Sequence, residues 1–276
     1  MENLNVETRR GTILNGVLFP AKNSDTVVIA ITGIHGNFYS NPFYYNIGDT
    51  LSAAEIDFIY AQTNDALGEI EIFNAKTGKK ELIGSWNERF SYTDEDIDAY
   101  LDFAEKNYRN VILAGHSLGA NKVIYYLARH HDKKRVKKFI LMSPANLRHM
   151  MSGVSDEERD FVEKLVRYGR GDKILPFYFM GWVLCTANTA HDWLSGILDN
   201  TSGRNFEQLE QIEHFWSVDN RNVRQFHGRR PCGLFKNDKF AHADRAGEQI
   251  NLHRAHGTYL STKTRGDSGD NKEFGT

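Results

Sequence analysis

Ala114-Gly115-His116-Ser117-Leu118-Gly119 decides how this chain is read. It follows a short apolar run, Val111-Ile112-Leu113. After it Ala120, Val123, Ile124, Leu127 and Ala128 recur at three- and four-residue spacing, which is one face of a helix. A serine between a buried strand and an amphipathic helix, with glycine two before and two after, is the G-x-S-x-G arrangement. So tight a turn holds its serine in a strained backbone conformation, and a side chain at Gly115 or Gly119 would collide with it. The serine oxygen then stands clear of the sheet, and the Leu118 amide is aimed at an incoming carbonyl.

Working outward, Val6 to Arg9 and Thr12 to Phe19 read as two strands joined at Arg10-Gly11. Thr26-Val27-Val28-Ile29-Ala30-Ile31 is an almost unbroken β-branched run, which suits a central strand covered on both faces. It ends in Thr32-Gly33-Ile34-His35-Gly36-Asn37-Phe38. A helix follows from Phe43 to Ala54 and a strand from Ile56 to Thr63. Ile70 to Phe73 and Leu82-Ile83 flank a turn and read as a surface hairpin. Thr93 with Asp96 has the spacing of a capping box and opens a helix with Ile97, Tyr100, Leu101 and Ala104 on one face. Lys133 to Lys138 reads as a solvated loop or helix end, and Phe139 to Met142 as the next strand. Alternating strands and helices imply a mostly parallel sheet wrapped on both faces. Ligands of such sheets sit at the carboxyl ends of strands, so Gly33 to Asn37 and Ser117 face one crevice.

The serine turn and the His35-Gly36 loop resemble the α/β-hydrolase superfamily, in particular its serine esterases and lipases. The resemblance implies an α/β-hydrolase fold: a mostly parallel sheet, helices on both faces and an inserted helical cap. It implies that the loop after the central strand builds half of an oxyanion hole, with the amides of Asn37 and Leu118 as donors. His35 then orders the loop and is not the base. The hydrolase core is expected over 1–146, a cap over 147–215 and the end of the core over 216–276. Within the cap, Ser155 with Glu158 is a capping box. The segment from Leu175 to Leu184 is dense in aromatics. Phe38, Phe179 and Trp182 are the expected substrate-binding side chains, since ligand sites are mostly apolar with a few polar groups.

The superfamily order is serine, acid, histidine, with the acid after the next-to-last strand and the histidine after the last. Asp238, at the end of a weak strand, is the best acid, with Asp219 and Asp244 competing. His256 is the best base, with His253 behind it. From Arg221 onward Val223, Leu234, Ile250, Leu252 and Leu260 are all the Val, Leu and Ile present. Either the sheet ends in degraded strands, or the stretch after about Asn220 is an altered or loosely packed tail.

The formal net charge is −2, so neither a nucleic-acid nor a membrane partner is implied. No segment is apolar and long enough to span a bilayer. The first residues have neither the basic start nor the apolar core of a signal peptide. Cys185 and Cys232 make no disulfide framework, so the expected compartment is the cytoplasm. No His, Cys or Asp cluster has metal-ligand spacing, and neither metal nor cofactor is expected. The expected activity is hydrolysis of a small-molecule or acyl-chain carboxylic ester. Two alternatives stand beside it: a non-catalytic hydrolase-fold binding protein with an incomplete triad, and a thioesterase or acyltransferase. The oligomeric state is open.

Overall fold

A computed structural model describes residues 1–132, 134–201 and 207–212, with the backbone of two short strands at 250–252 and 260–262. The chain opens with an antiparallel pair, β1 (Glu2–Glu7) and β2 (Ile13–Phe19), then β3 (Thr26–Ile31), helix α1 (Phe43–Ala53) and β4 (Asp57–Ala61). A hairpin follows, β5 (Ile70–Asn74) and β6 (Lys79–Ile83). Helix α2 (Thr93–Asn107), β7 (Asn110–His116), α3 (Leu118–Arg129) and β8 (Lys138–Met142) complete this half. Six strands form one sheet in the order β1-β2-β4-β3-β7-β8. β4, β3, β7 and β8 are parallel, and β2 joins β4 antiparallel.

Period-two alternation sorts the two faces of this sheet. Val27, Ile29 and Ile31 of β3, Val111 and Leu113 of β7, and Phe139 of β8 share a cluster with Ile97, Tyr100 and Leu101 of α2 and Val123, Ile124 and Leu127 of α3. Val28 and Ala30, with Ala114 of β7, face the other way and pack with Tyr44 of α1, Phe19, Phe58 and Tyr60. The register places Ile31 of β3 opposite Gly115 of β7. Two residues further along each chain lie Gly33 and Ser117, so the two loops leave the sheet level with each other.

After β8 come α4 (Leu147–Met151), α5 (Asp156–Arg167), α6 (Ala187–Leu194) and a short α7 (Glu207–Glu210). Leu147, Met151, Val162, Leu175, Phe179, Val183 and Trp193 form a second cluster that reaches Leu118 of α3 and Phe90. The buried Asn121 of α3 fastens this segment to the core. Its Nδ2 donates to the carbonyls of Ala145 and Leu198, and its Oδ1 accepts the Ala145 amide at 2.8 Å. The strands β9 (Ile250–Leu252) and β10 (Leu260–Thr262) pair with each other in a sheet of their own.

Two expectations need correction. The capping box at Thr93 does not form: Tyr92 is the N-cap and no side chain caps the helix. Asp96 is instead fully buried, where it accepts the Asn64 amide and pairs with Arg10. The box at Ser155 and Glu158 is present in full. Within the basic stretch, Arg135 is no solvated residue, for it bridges Asp98, Asp102 and Glu105 of α2. Near the end of the expected cap, Leu209 and Ile212 pack into the cluster shared by α2 and α3.

Candidate active site

Ser117 sits where β7 turns into α3, with φ 55° and ψ −127°. An L-residue adopts that conformation only when its surroundings impose it. They do so through two backbone bonds: its amide donates to the Met142 carbonyl at 3.0 Å, and its carbonyl accepts the Ala120 amide at 3.0 Å. The flanking glycines are required by contact. A Cβ on Gly115 would lie 2.4 Å from the Gly119 carbonyl oxygen, and one on Gly119 would lie 2.2 Å from that of Ile31. His35 and Ser143 also hold positive φ, at 55° and 45°. Strain therefore gathers at the carboxyl ends of β3, β7 and β8.

Gly33 lies directly against the serine: a Cβ there would be 2.9 Å from the Ser117 Cβ and 3.3 Å from the Leu118 nitrogen. The Leu118 amide, at the first position of α3, has no intrahelical acceptor. Beyond Gly33 the loop hydrogen-bonds at almost every amide. His35 donates to the Asp65 carbonyl at 2.9 Å, Gly36 to that of Gly33 at 2.9 Å and Asn37 to that of His35 at 3.0 Å. The expected donor, Asn37, is thus already engaged. Its side chain is committed too, with Nδ2 on the Ala66 carbonyl and Oδ1 on the amides of Tyr39 and Ser40. The Ile34 amide, next to Gly33, donates to no acceptor among the described residues. Reading the loop from His35-Gly36 points past it to Asn37, three residues downstream. A count from the strand end finds it, since Gly33 follows Ile31 by two residues as Ser117 follows Gly115.

The histidines near this end of the sheet have other work. His35 Nε2 lies 2.7 Å from the Ser85 hydroxyl, and its ring stands edge-on to Trp182 at 5.7 Å. His116 packs on Phe43 and Tyr44 of α1, and burial lowers its pKa. The Ser117 hydroxyl hydrogen-bonds to no described residue. Asp238, His256 and His253, like the competing Asp219 and Asp244, lie outside the described residues.

Among the expected substrate contacts, Phe38 packs its ring on Tyr45 at 4.4 Å, Tyr60 at 5.6 Å and Phe19 at 6.5 Å, in the cluster under α1. Phe179 is fully buried inside the second cluster. Both are core. Trp182 is 44% exposed beside His35 and remains available to a ligand. A cavity of about 320 Å³ lies elsewhere, lined by Tyr126, Arg129, His130, Arg135 and their neighbours. It is remote from the chemistry of the serine turn, and its arginines are already paired with Asp94, Asp98, Asp102 and Glu105.

A mostly parallel sheet with a strained serine at the end of a central strand, pressed against Gly33 after the neighbouring strand, has the α/β-hydrolase fold, and solved structures agree. The α/β hydrolase GrgF from Penicillium sp. sh18 superposes with a TM-score of 0.52 at 16% identity, over 70% of this chain and 72% of that one. Est1E from Butyrivibrio proteoclasticus gives 0.52 at 17% identity, over 78% and 75%. A thermostable carboxyl esterase from Bacillus coagulans gives 0.52 at 10% identity, over 76% of each. Identities this low establish the fold alone. The chain belongs to the family described as protein of unknown function (DUF1749), whose profile matches residues 17–203. No curated protein matches it. Among the described residues no helix is long and apolar enough to cross a membrane, and no group of His, Cys, Asp or Glu could hold a metal ion.

Proposed function

We propose that this chain is a serine hydrolase that cleaves a small-molecule carboxylic ester through an acyl-enzyme on Ser117. The observation that carries the reading is the strained Ser117 turn pressed against Gly33, with the amides of Ile34 and Leu118 free of acceptors among the described residues. Ser117 Oγ attacks the ester carbonyl while a histidine takes its proton, and the carbonyl oxygen becomes an oxyanion held by the two amides. Collapse breaks the bond to the alcohol oxygen, which leaves with the proton from the histidine. Water, deprotonated by the same histidine, then releases the carboxylic acid and restores Ser117. By superfamily order the histidine is His256, and Asp238 fixes its tautomer. The helical segment from Leu147 acts as a cap that brings Trp182 over the loop at His35. The cytoplasmic setting rests on cysteine usage alone.

Fluorophosphonate labelling tests this directly, with mass spectrometry to locate the adduct. Wild type should be labelled on Ser117, and S117A should neither label nor hydrolyse short p-nitrophenyl esters. Unchanged turnover by purified S117A refutes the assignment.

A further inference from the structure

Five residues after Ser117, on the same helix, the side chain of Lys122 is only 1% exposed. Its three ammonium donors are matched by three acceptors. Nζ lies 2.9 Å from Asp65 Oδ1, 2.8 Å from Glu88 Oε1 and 3.3 Å from Thr63 Oγ1. The Thr63 hydroxyl donates to the same Asp65 oxygen at 2.7 Å, and the Asn64 amide donates to Asp96 of α2 at 3.1 Å. Residues 63–65 are thus clamped from below by side chains of two helices.

The same short segment carries the loop that faces the serine. The carbonyl of Asp65 receives the His35 amide at 2.9 Å, and that of Ala66 receives Asn37 Nδ2 at 3.2 Å. His35 Nε2 meets Ser85, whose amide donates to the Leu67 carbonyl at 2.8 Å. Ile34 immediately precedes these anchors, and its amide donates to no acceptor among the described residues. Its position relative to Ser117 is inherited from residues 63–67.

We propose that Lys122 is a positioning residue for the reaction at Ser117, locking the nucleophile's helix to the segment that supports the Ile34 loop. The inference rests on the serine-hydrolase reading above. Stability does not explain the cluster, since well-packed apolar residues replace a buried ion pair at little or no cost. What directional charged bonds add is a fixed geometry between two elements, and an oxyanion hole needs its donors fixed before the charge develops. Charge balance supports the same view. Asp65, Glu88 and Asp96 outnumber Lys122 and Arg10, and burial together with the neighbouring carboxylates pushes Glu88 up to about 8 against the pull of Lys122. Burial opposes the charge on Lys122, but Asp65 and Glu88 hold its pKa above the ordinary lysine value, so the ammonium persists.

K122M alone would strand the buried Asp65 carboxylate and leave the Glu88 carboxyl without its donor. The decisive variant is therefore the triple D65N/E88Q/K122M, which removes the charges together. It is compared with wild type in three measurements: kcat and KM for p-nitrophenyl butyrate per fluorophosphonate-titrated serine, affinity for an aryl trifluoromethyl ketone, and amide hydrogen exchange over residues 33–37. A folded triple variant should lose about tenfold or more in kcat with KM held within about twofold. Ketone affinity should fall in parallel, and residues 33–37 should exchange faster. A folded variant with wild-type kcat and wild-type exchange overturns the proposal. Should the triple variant not fold, D65N, which leaves Lys122 its pair with Glu88, is read in the same assays, and unchanged values there overturn it equally. If wild-type Ser117 itself resists fluorophosphonate, the hydrolase reading fails separately. Positioning is then decided by exchange, and an unaltered 33–37 segment refutes it.

Discussion

Gly33→Ala isolates the contact on which the site depends. The residue's φ lies outside the left-handed range, so alanine meets no backbone strain there, only its neighbours. The added methyl would sit 2.9 Å from the Ser117 Cβ, 3.2 Å from the His116 carbonyl oxygen and 3.3 Å from the Leu118 nitrogen. Restoring ordinary contact opens the gap between loop and serine turn by roughly half an ångström, an overpacking cost of about 1–3 kcal/mol. The protein should therefore fold, with a melting temperature lower by several degrees. Catalysis should suffer far more. The methyl crowds the space from which an oxyanion must reach the Leu118 amide, and it carries the Ile34 amide away from Ser117. Losing one oxyanion donor costs about 10²- to 10³-fold in kcat, and that loss is expected here. The assay is kcat/KM on p-nitrophenyl butyrate beside thermal melting. Gly119→Ala is the contrast, because its Cβ would strike the Ile31 and Thr32 carbonyls at 2.2 and 2.5 Å, backbone that cannot swing aside. That variant should lose the fold. A folded G33A enzyme within about threefold of wild-type kcat/KM refutes the placement of the oxyanion beside Gly33.

W182A should shift acyl-chain preference while leaving fluorophosphonate reactivity nearly intact, whereas F179A, emptying a fully buried site, should cost about 3–5 kcal/mol of stability first; superimposable chain-length profiles for W182A assign that ring to packing. Glu88 is raised by burial from 4.5 to about 8, so its contribution to stability is full below the unfolded value and is lost as pH rises through about 8. Wild-type urea midpoints should accordingly decline between about pH 5 and 9, E88Q should flatten that decline, and parallel curves for the two proteins refute the buried proton. H256A should abolish acylation of Ser117 and H253A should leave it, and the reverse pattern would move the base to His253.

How far the fold was legible follows from what each element depends on. β3 and β7 announce themselves because both faces are covered, so Val27–Ile31 and Val111–Ala114 are apolar without a break. Gly115 and Gly119 were legible for a similar reason, each being forced by backbone passing within 2.4 Å of a missing Cβ. The contact of Gly33 with the serine was not, because a motif fixes residue types while the residue that meets the serine is chosen by strand register. Only the pairing of Ile31 with Gly115 brings Gly33, and not Gly36, to the serine. The packing of Phe38 was hidden likewise. Its neighbours in sequence flank the site, but its ring turns back onto Tyr45 and Tyr60.

Thr93 and Asp96 show the limit from the other side. Their spacing suits a capping box, a local device worth about 1 kcal/mol, but Asp96 was captured by partners more than thirty residues away, Arg10 and Asn64. Lys122 passes unnoticed for the same reason, since a lysine on an amphipathic helix is usually solvated. Long-range charge pairing leaves no periodic trace in a sequence. Both residues nevertheless bear on the same short segment, 63–65, which carries the loop facing Ser117. Buried charge and strained backbone are each costly, and here both occur: His35, Ser117 and Ser143 hold positive φ at the carboxyl ends of β3, β7 and β8, and the His35 amide bonds to Asp65 of the Lys122 cluster. A chain shaped for stability alone would relax the first with glycine and replace the second with leucine. Their concentration around Ser117 argues that this end of the sheet is built to hold atoms in place for a reaction.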